Sequence, residues 1–150
     1  MNPFVLSPPE RIRAWRDLRE SIKEKTLEEA ALDVSLWWWQ APIVQFTIDY
    51  DRPETWPTPW EMMYENEFDN TARAYMMAET LLLAGLVTEY DLEIVILNCK
   101  DLEEIKSLVL VEKRIILNYA YNSVNDTSVL SDGCYAISRL ELSGKKWVSV

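Results

Sequence analysis

The spacing of apolar residues predicts a helix close to the start of the chain. Ser7-Pro8-Pro9-Glu10 is typical of a helix start: Ser7 is expected to cap the helix, proline is well tolerated in the first helical turn, and Glu10 is expected to complete a capping box. Ile12, Trp15, Leu18 and Ile22 then follow at helical spacing, and charged residues occupy the positions between them. The pattern therefore predicts an amphipathic helix with a solvated, charged outer face.

Three further helix starts are marked by capping residues. Thr26-Leu27-Glu28-Glu29 has the spacing of a capping box, and Thr58 precedes Pro59 and Glu61 in the same way. The third helix start is at Asp69 or Asn70, and that helix is expected to run to about Ala84 and to end at Gly85. Because it is small and apolar on most sides, we expect it to be the central helix of the fold.

Alternating or continuous apolar runs predict strands. Val44, Phe46, Ile48 and Tyr50 alternate with polar residues, as in a half-buried strand. Five later segments are also strand candidates: Leu92–Cys99, Leu108–Val111, Arg114–Tyr121, Cys134–Leu142 and Lys145–Val150. Helices followed by strands favour an α+β fold, in which N-terminal helices and a central helix pack on an antiparallel sheet. The prediction is one domain over residues 1–150, with an N-terminal helical segment (1–36) and an α+β core (37–150).

Trp37-Trp38-Trp39 is the most unusual local feature of the chain. Three consecutive indoles cannot all face one core, whether the segment is a helix or a strand. An exposed indole is a large apolar surface, so at least one of the three, Trp38 by preference, is expected to contact another protein chain. The alternative is an indole packed under the N-terminal helix.

Composition and charge exclude several classes of function. The chain has 150 residues and a formal net charge of −10, with no histidine. A net-acidic chain without a basic cluster is poorly suited to binding nucleic acid, where cations must replace phosphate counterions. Without imidazole there is no Ser-His or Cys-His catalytic pair and no histidine-ligated zinc.

Cysteine usage and hydropathy predict where the protein is made. Cys99 and Cys134 fall in predicted strands and are interpreted as small buried apolar residues, although a disulfide between them stays open. No apolar run reaches the roughly 18 residues that a membrane-spanning helix needs. Met1-Asn2-Pro3-Phe4 does not have the pattern of a signal peptide. These features predict synthesis in a reducing cytoplasm and no membrane partner.

Three acidic groups are candidates for metal binding. Asp49 and Asp51 are interpreted as part of a solvated turn, and Asp101, Glu103 and Glu104 as a surface loop. Glu65, Glu67 and Asp69 precede the central helix, where the helix dipole favours negative charge. Calcium is the alternative for this last group, because calcium prefers carboxylate oxygens.

Several motifs between Trp56 and Tyr121 occur in the order found in a known family. They are Trp56-Pro57-Thr58-Pro59-Trp60-Glu61, Asn66-Glu67-Phe68-Asp69-Asn70-Thr71-Ala72, the helix stop Gly85, and the strand segments Ser107–Val111 and Ile115–Asn118. Together they resemble the bacterial transglutaminase-like cysteine peptidases of the periplasmic adhesin-cleaving type. The resemblance covers under half of the chain and implies a transglutaminase/papain-like core.

The same resemblance implies that the catalytic triad is lost. The family uses a cysteine at a helix N-terminus, a histidine that takes its proton and an aspartate that orients the histidine. Phe68, Ser107 and Asn118 stand at those three positions, so the resemblance implies a pseudoenzyme with no catalytic residues. Phe68 is then expected to be buried at the start of the central helix, near Ala72 and Trp60. Glu67 and Asp69 flank the nucleophile position as the calcium-binding residues of the family do, so calcium is the one cofactor implied.

A second resemblance suggests a biological setting. The tryptophan-rich segment, Ala41-Pro42-Ile43-Val44 and Trp56–Glu61 are similar to segments of small proteins encoded by tailed bacteriophages. This implies a non-catalytic structural protein of the virion, in the neck or tail, whose partners are other virion proteins or copies of itself. The alternative is a soluble module that binds a peptide or partner in the old cleft, lined by Trp60 and Phe68. An active hydrolase using a carboxylate, Cys99 or Cys134 is the third hypothesis.

Overall fold

The computed structural model describes residues 2–99, 104–121, 123–131, 134–144 and 146–148. Asp101, Glu103 and Lys145, which entered the predictions above, lie outside these ranges. For Cys99, Cys134 and Glu104 only the backbone is described.

Four α-helices occupy the first half of the chain: α1 (Pro8–Ile22), α2 (Leu27–Trp38), α3 (Pro59–Glu65) and α4 (Asn70–Leu83). Thr26 and Thr58 form capping boxes at the starts of α2 and α3, and Asp69 accepts a hydrogen bond from the backbone of Ala72 at the start of α4. After α4, Gly85 adopts a φ of 80°, which L-residues with a side chain rarely adopt. The predicted helix starts are therefore confirmed, although in the described structure Ser7 makes no side-chain capping hydrogen bond.

Short 3₁₀ helices connect the larger elements, at Pro3–Val5, Pro53–Thr55, Glu89–Asp91 and Thr127–Ser131. Five strands follow the helices: β1 (Leu92–Cys99), β2 (Glu104–Val111), β3 (Ile115–Leu117), β4 (Cys134–Glu141) and β5 (Lys146–Val148). Among the described residues, no helix is both long enough and apolar enough to cross a lipid bilayer.

The strands form one antiparallel sheet in the order β3-β2-β1-β4-β5. Helix α4 packs on one face of this sheet and also contacts α2, and every residue from Thr71 to Ala78 is buried. Ile94 and Val109 belong to the main core under α4, whereas Val95 and Leu108 belong to a second apolar cluster. Successive residues of a strand point to opposite faces, so this sheet is apolar on both sides. The predicted α+β class and the central helix are confirmed.

Helix α2 spans residue 36, continues to Trp38 and packs into the same core as the later elements. The single domain over residues 1–150 stays a prediction. The structure corrects the predicted bounds of two strands. Strand β2 begins at Glu104, well before Leu108, and β3 is limited to Ile115–Leu117 because Asn118 leaves the strand with a φ of 69°.

The strand predicted over Val44–Tyr50 does not form. A single parallel bridge joins Ile43 to Phe68, and beyond it the backbone amides of Thr47 and Ile48 both donate to the carboxylate of Asp69. These amides are therefore bonded to a side chain and not to a neighbouring strand. As a result Ile48 is buried and Phe46 is exposed, although the alternation predicts that they share a face.

Candidate functional site

The three positions that the sequence resemblance aligns with a catalytic triad all lie near the N-terminus of α4. Phe68 directly precedes the cap residue Asp69, Ser107 lies in β2, and Asn118 directly follows β3. Strand β3 pairs with β2 in antiparallel register, with Leu117 opposite Val109. This register carries Asn118 towards Ser107, and the side-chain amide of Asn118 donates to the carbonyl of Ser107 at 2.8 Å.

Polar side chains of α4 fasten these two strands to the helix. The backbone N–H of Ser107 donates to the side-chain oxygen of Asn70 at 2.7 Å, and the hydroxyls of Ser107 and Thr71 are 2.7 Å apart. The Asn118 amide also donates to the carbonyl of Asn70 at 3.2 Å. Ser107 and Asn118 therefore occupy a connected, buried hydrogen-bond network at the start of α4.

Arg73 is a buried cationic member of this network. It is 6% exposed, donates from Nε to the side-chain oxygen of Asn118 at 2.8 Å, and its guanidinium carbon lies 3.9 Å from the centre of the Trp39 ring. Burial lowers the pKa of Arg73 to about 10, because removing water disfavours the charged form. The group still carries its charge at neutral pH, where the amide oxygen and the indole face stabilise it.

Phe68, which the sequence resemblance aligns with the nucleophile of the family, lies in the core. Its side chain is fully buried, and its ring lies 5.3 Å from Trp38 and 5.8 Å from Phe4, centre to centre, with edge-to-face geometry. The predicted burial of Phe68 is confirmed. Its predicted contact with Trp60 is not found, because Trp60 packs against Trp15 and is 45% exposed. Phe68 and Trp60 therefore do not line a common cleft, contrary to what the binding-module hypothesis expects.

The partners of Ser107 and Thr71 determine what these hydroxyls can do. A hydroxyl nucleophile needs a neighbour that accepts its proton, most often an imidazole, a carboxylate or an amine. In the described structure the two hydroxyls bond to each other, and the backbone of Ser107 bonds to the amide side chains of Asn70 and Asn118. Amides do not accept a proton at neutral pH. The carboxylate of Asp69, which lines the same depression as Thr71 and Ser107, accepts the backbone amides of Thr47, Ile48 and Ala72.

The contacts of Asp69 and Glu67 decide whether these two carboxylates could bind one calcium ion. One carboxylate oxygen of Asp69 accepts the amides of Thr47 and Ile48, and the other accepts the amide of Ala72. Glu67 is exposed and faces a different depression, beside Glu65. Calcium takes six to eight oxygen ligands, and no cluster of three candidate ligand side chains occurs among the described residues. These two residues alone do not fit a calcium site, and calcium binding stays a prediction.

The structure corrects the interface predicted at Trp38. Helix α2 continues through this residue, and its indole is fully buried between Phe4, Trp37 and Phe68. Its N–H donates to the hydroxyl of Thr80 in α4 at 3.0 Å. The expected contact of Trp38 with another chain is therefore wrong, and the alternative of a core indole is correct.

The neighbouring indoles of Trp37 and Trp39 are only partly buried. Trp37 packs against Phe4, and Trp39 lies between Arg73 and Tyr121. Both line a shallow groove between α1 and α2. A contact between either ring and another chain stays a prediction.

Asn70, Thr71 and Arg73 belong to the site but were missed from the sequence. Arg73 is a cationic residue in the middle of an otherwise apolar helix stretch, and that is a signal for a buried polar partner. Asn70 and Thr71 gave no signal beyond their position near the helix start.

The acidic pair Asp49 and Asp51 lies outside this site. The two side chains share a hydrogen bond, which raises the pKa of Asp49.

Comparison with known proteins finds similar folds among solved structures but no related sequence. No protein-family model matches the chain, and no curated protein does. Among solved structures, Legionella pneumophila LapG superimposes with a TM-score of 0.69 and 19% identity, over 86% of this chain and 74% of that one. Its EGTA-treated form gives a TM-score of 0.70 at 19% identity, and its calcium-bound form 0.70 at 18%. At these identities the likeness shows the fold alone, a transglutaminase-like α+β fold.

Proposed function

We propose that this protein is a non-catalytic protein built on a transglutaminase-like cysteine-protease fold and that it acts by binding other proteins. The observation that carries the proposal is the state of Phe68. Its ring occupies the aligned nucleophile position, is fully buried, and packs against Phe4 and Trp38. A phenyl ring cannot attack a carbonyl, and this one also occupies space that a reacting group would need.

The other two aligned positions support the same proposal. Ser107 and Asn118 lie next to each other, but their contacts are with amides, a hydroxyl and the cationic Arg73. With no histidine in the chain, no imidazole from elsewhere can replace the missing base. The site is stable as a polar brace between α4, β2 and β3.

The biological setting that we propose is the virion of a tailed phage, in the neck or tail, with the chain made in the cytoplasm of the bacterial host. This part of the proposal rests on the sequence resemblance described above. The second candidate is a soluble binding module, which is favoured by an open acidic depression near Phe46. A virion component should assemble into rings or higher oligomers, whereas a module should be a monomer.

Peptide turnover tests the loss of catalysis. The purified chain is incubated with a broad peptide library, with calcium and separately with EGTA, and the products are read by mass spectrometry beside an active cysteine protease. We expect no cleavage in either condition. Cleavage that disappears in Cys99→Ala, Cys134→Ala or Ser107→Ala would contradict the proposal and would identify the reacting group. Native mass spectrometry of the same sample distinguishes assembly from a monomer.

A further inference from the structure

A depression beside Phe46 combines an apolar floor with two carboxylates. Its volume is about 270 Å³, and its walls come from the bent segment after Ile43, from Pro57 before α3, from α3 itself and from Glu67 after α3. The residues that matter here, called the acidic pocket below, are Phe46, Ile48, Pro57, Met62, Glu65 and Glu67.

No cationic side chain in the described part of the chain forms an ion pair with either carboxylate of the acidic pocket, Glu65 or Glu67. Arg52 pairs with Glu54, and Arg11, which reaches the end of α3, donates to three backbone carbonyls there and at Leu6. The pocket therefore presents uncompensated negative charge above an apolar surface.

We propose that the acidic pocket receives a lysine or arginine side chain from an extended basic segment of another protein. A long cationic side chain lays its methylenes on apolar surface and keeps its charged head at a polar rim, which is the arrangement offered by Ile48, Pro57 and Met62 below Glu65 and Glu67. Each charge-assisted hydrogen bond to a carboxylate is stronger than a neutral one. The net charge of −10 favours approach of a basic partner.

The pocket has room for one long side chain, since its volume is about 270 Å³. The occupant we infer is such a side chain, carried by a larger ligand.

The neighbouring backbone indicates that this ligand is an extended segment. Residues 42–46 carry the exposed side chains of Ile43, Val44 and Phe46. In the described structure, the backbone hydrogen bonds of this stretch all go to Phe68, which lies along one edge of it. An extended peptide can add to the opposite edge by main-chain hydrogen bonds and can place one side chain in the pocket. This inference rests on the proposed protein-binding function and names the chemistry of the partner.

Binding of matched peptides tests the inference. The probe is a fluorescently labelled, blocked nonapeptide, Gly-Thr-Val-Thr-Lys-Thr-Val-Thr-Gly, and its analogues carry arginine, norleucine or glutamate in the centre. Affinity is measured by fluorescence polarisation at low salt and at ~0.3 M salt. We expect the lysine and arginine peptides to bind about tenfold more tightly than the norleucine peptide, with a smaller difference at high salt.

Two double variants separate the pocket from general charge. Glu65→Gln/Glu67→Gln should abolish the preference for lysine. Glu24→Gln/Glu89→Gln changes the net charge equally at exposed positions and should keep the preference. Phe46→Ser, at a side chain that is 70% exposed, should weaken the lysine and norleucine peptides alike. Equal binding of lysine and norleucine peptides, or equal loss in both double variants, would overturn the inference.

Other occupants give different results in the same experiment. If calcium displaces the lysine peptide and raises the melting temperature only when Glu65 and Glu67 are present, the pocket is a divalent-cation site and the inference is wrong. If the chain self-associates and Glu65→Gln/Glu67→Gln makes it monomeric, the occupant belongs to a second copy and a foreign partner is excluded. The mass of each probe after incubation reports cleavage, which would refute the proposed function and not this inference.

Discussion

Arg73 donates its Nε hydrogen to the side-chain oxygen of Asn118 at 2.8 Å. The carbon of the same guanidinium lies over the Trp39 ring, 3.9 Å from its centre. Asn118 in turn donates to the carbonyls of Ser107 and Asn70. One buried cation and one amide therefore connect α2, α4 and the β2–β3 end of the sheet.

Replacing Arg73 by lysine tests this connection. Lysine keeps the charge but lacks the planar fork, so it cannot contact the face of Trp39 and donate sideways to Asn118 in the same way. We expect Arg73→Lys to lower the free energy of unfolding by about 1–3 kcal/mol in urea denaturation. Arg16→Lys, at an exposed position of α1, is the control and should change it by less than ~0.5 kcal/mol. Equal stability of the two variants would contradict the role given to Arg73.

Thr80 holds two indoles with one hydroxyl. The N–H groups of Trp15 and Trp38 donate to its Oγ at 2.9 Å and 3.0 Å, and the hydroxyl donates to the carbonyl of Met76 at 2.6 Å. Thr80→Val removes this acceptor and leaves two buried indole N–H groups unpaired, which we expect to cost about 2–5 kcal/mol. Thr80→Ser keeps the hydroxyl and should cost only ~1 kcal/mol for the lost methyl group. Thermal and urea unfolding of the pair would show the difference; similar losses would contradict the shared-acceptor role.

Local signals in the sequence predicted the helices, and long-range contacts decided the features that were missed. Thr58, Asp69 and Gly85 act within a few residues of their own helix ends, so their patterns are readable without the fold. The burial of Trp38 depends on Thr80, 42 residues away. The alternation after Val44 is a true strand pattern, but it is overridden by Asp69, whose carboxylate takes two backbone amides of that segment.

In the candidate site, too, some features could be predicted from the sequence and others depend on long-range contacts. The resemblance gave positions 68, 107 and 118, and the structure brings Ser107 and Asn118 together while burying Phe68. The chemistry around them could not be predicted, because Arg73 reaches Asn118 across 45 residues of sequence. A polar residue inside an apolar helix indicates that a buried partner exists, but it does not indicate which one.

Because Tyr75 is buried, the free energy of unfolding is expected to fall at alkaline pH. Its side chain is 2% exposed and packs against Trp56, and burial, followed by the nearby charge of Glu79, raises the pKa of its phenol well above its usual value of 10. Above pH ~10 the unfolded state loses this proton while the folded state keeps it, so stability falls by up to ~1.4 kcal/mol per pH unit. Below pH ~10 this contribution is fully present.

Tyr75→Phe should remove that part of the alkaline loss. We expect its free energy of unfolding to fall less steeply than that of the parent protein between pH ~10 and ~11.5. Tyr90→Phe, at a side chain that is 78% exposed, is the matched control and should follow the parent curve. Urea titrations at each pH measure both, and parallel curves for all three proteins would refute a buried neutral phenol.

Phe68→Cys tests the proposed loss of catalysis, because it places a thiol at the position that the resemblance aligns with a nucleophilic cysteine. The substitution replaces a fully buried ring between Phe4 and Trp38 by a much smaller side chain, so a cavity forms. We expect a loss of about 3 kcal/mol and a melting temperature lower by ~6–12 °C. Phe46→Cys adds the same thiol at a side chain that is 70% exposed and should leave the melting temperature nearly unchanged. We expect neither variant to cleave peptides, because the neighbours of Ser107 and Asn118 are amides, a hydroxyl and a cation. Peptidase activity in Phe68→Cys that is absent from Phe46→Cys would show that a working base lies near this position and that only the nucleophile was lost.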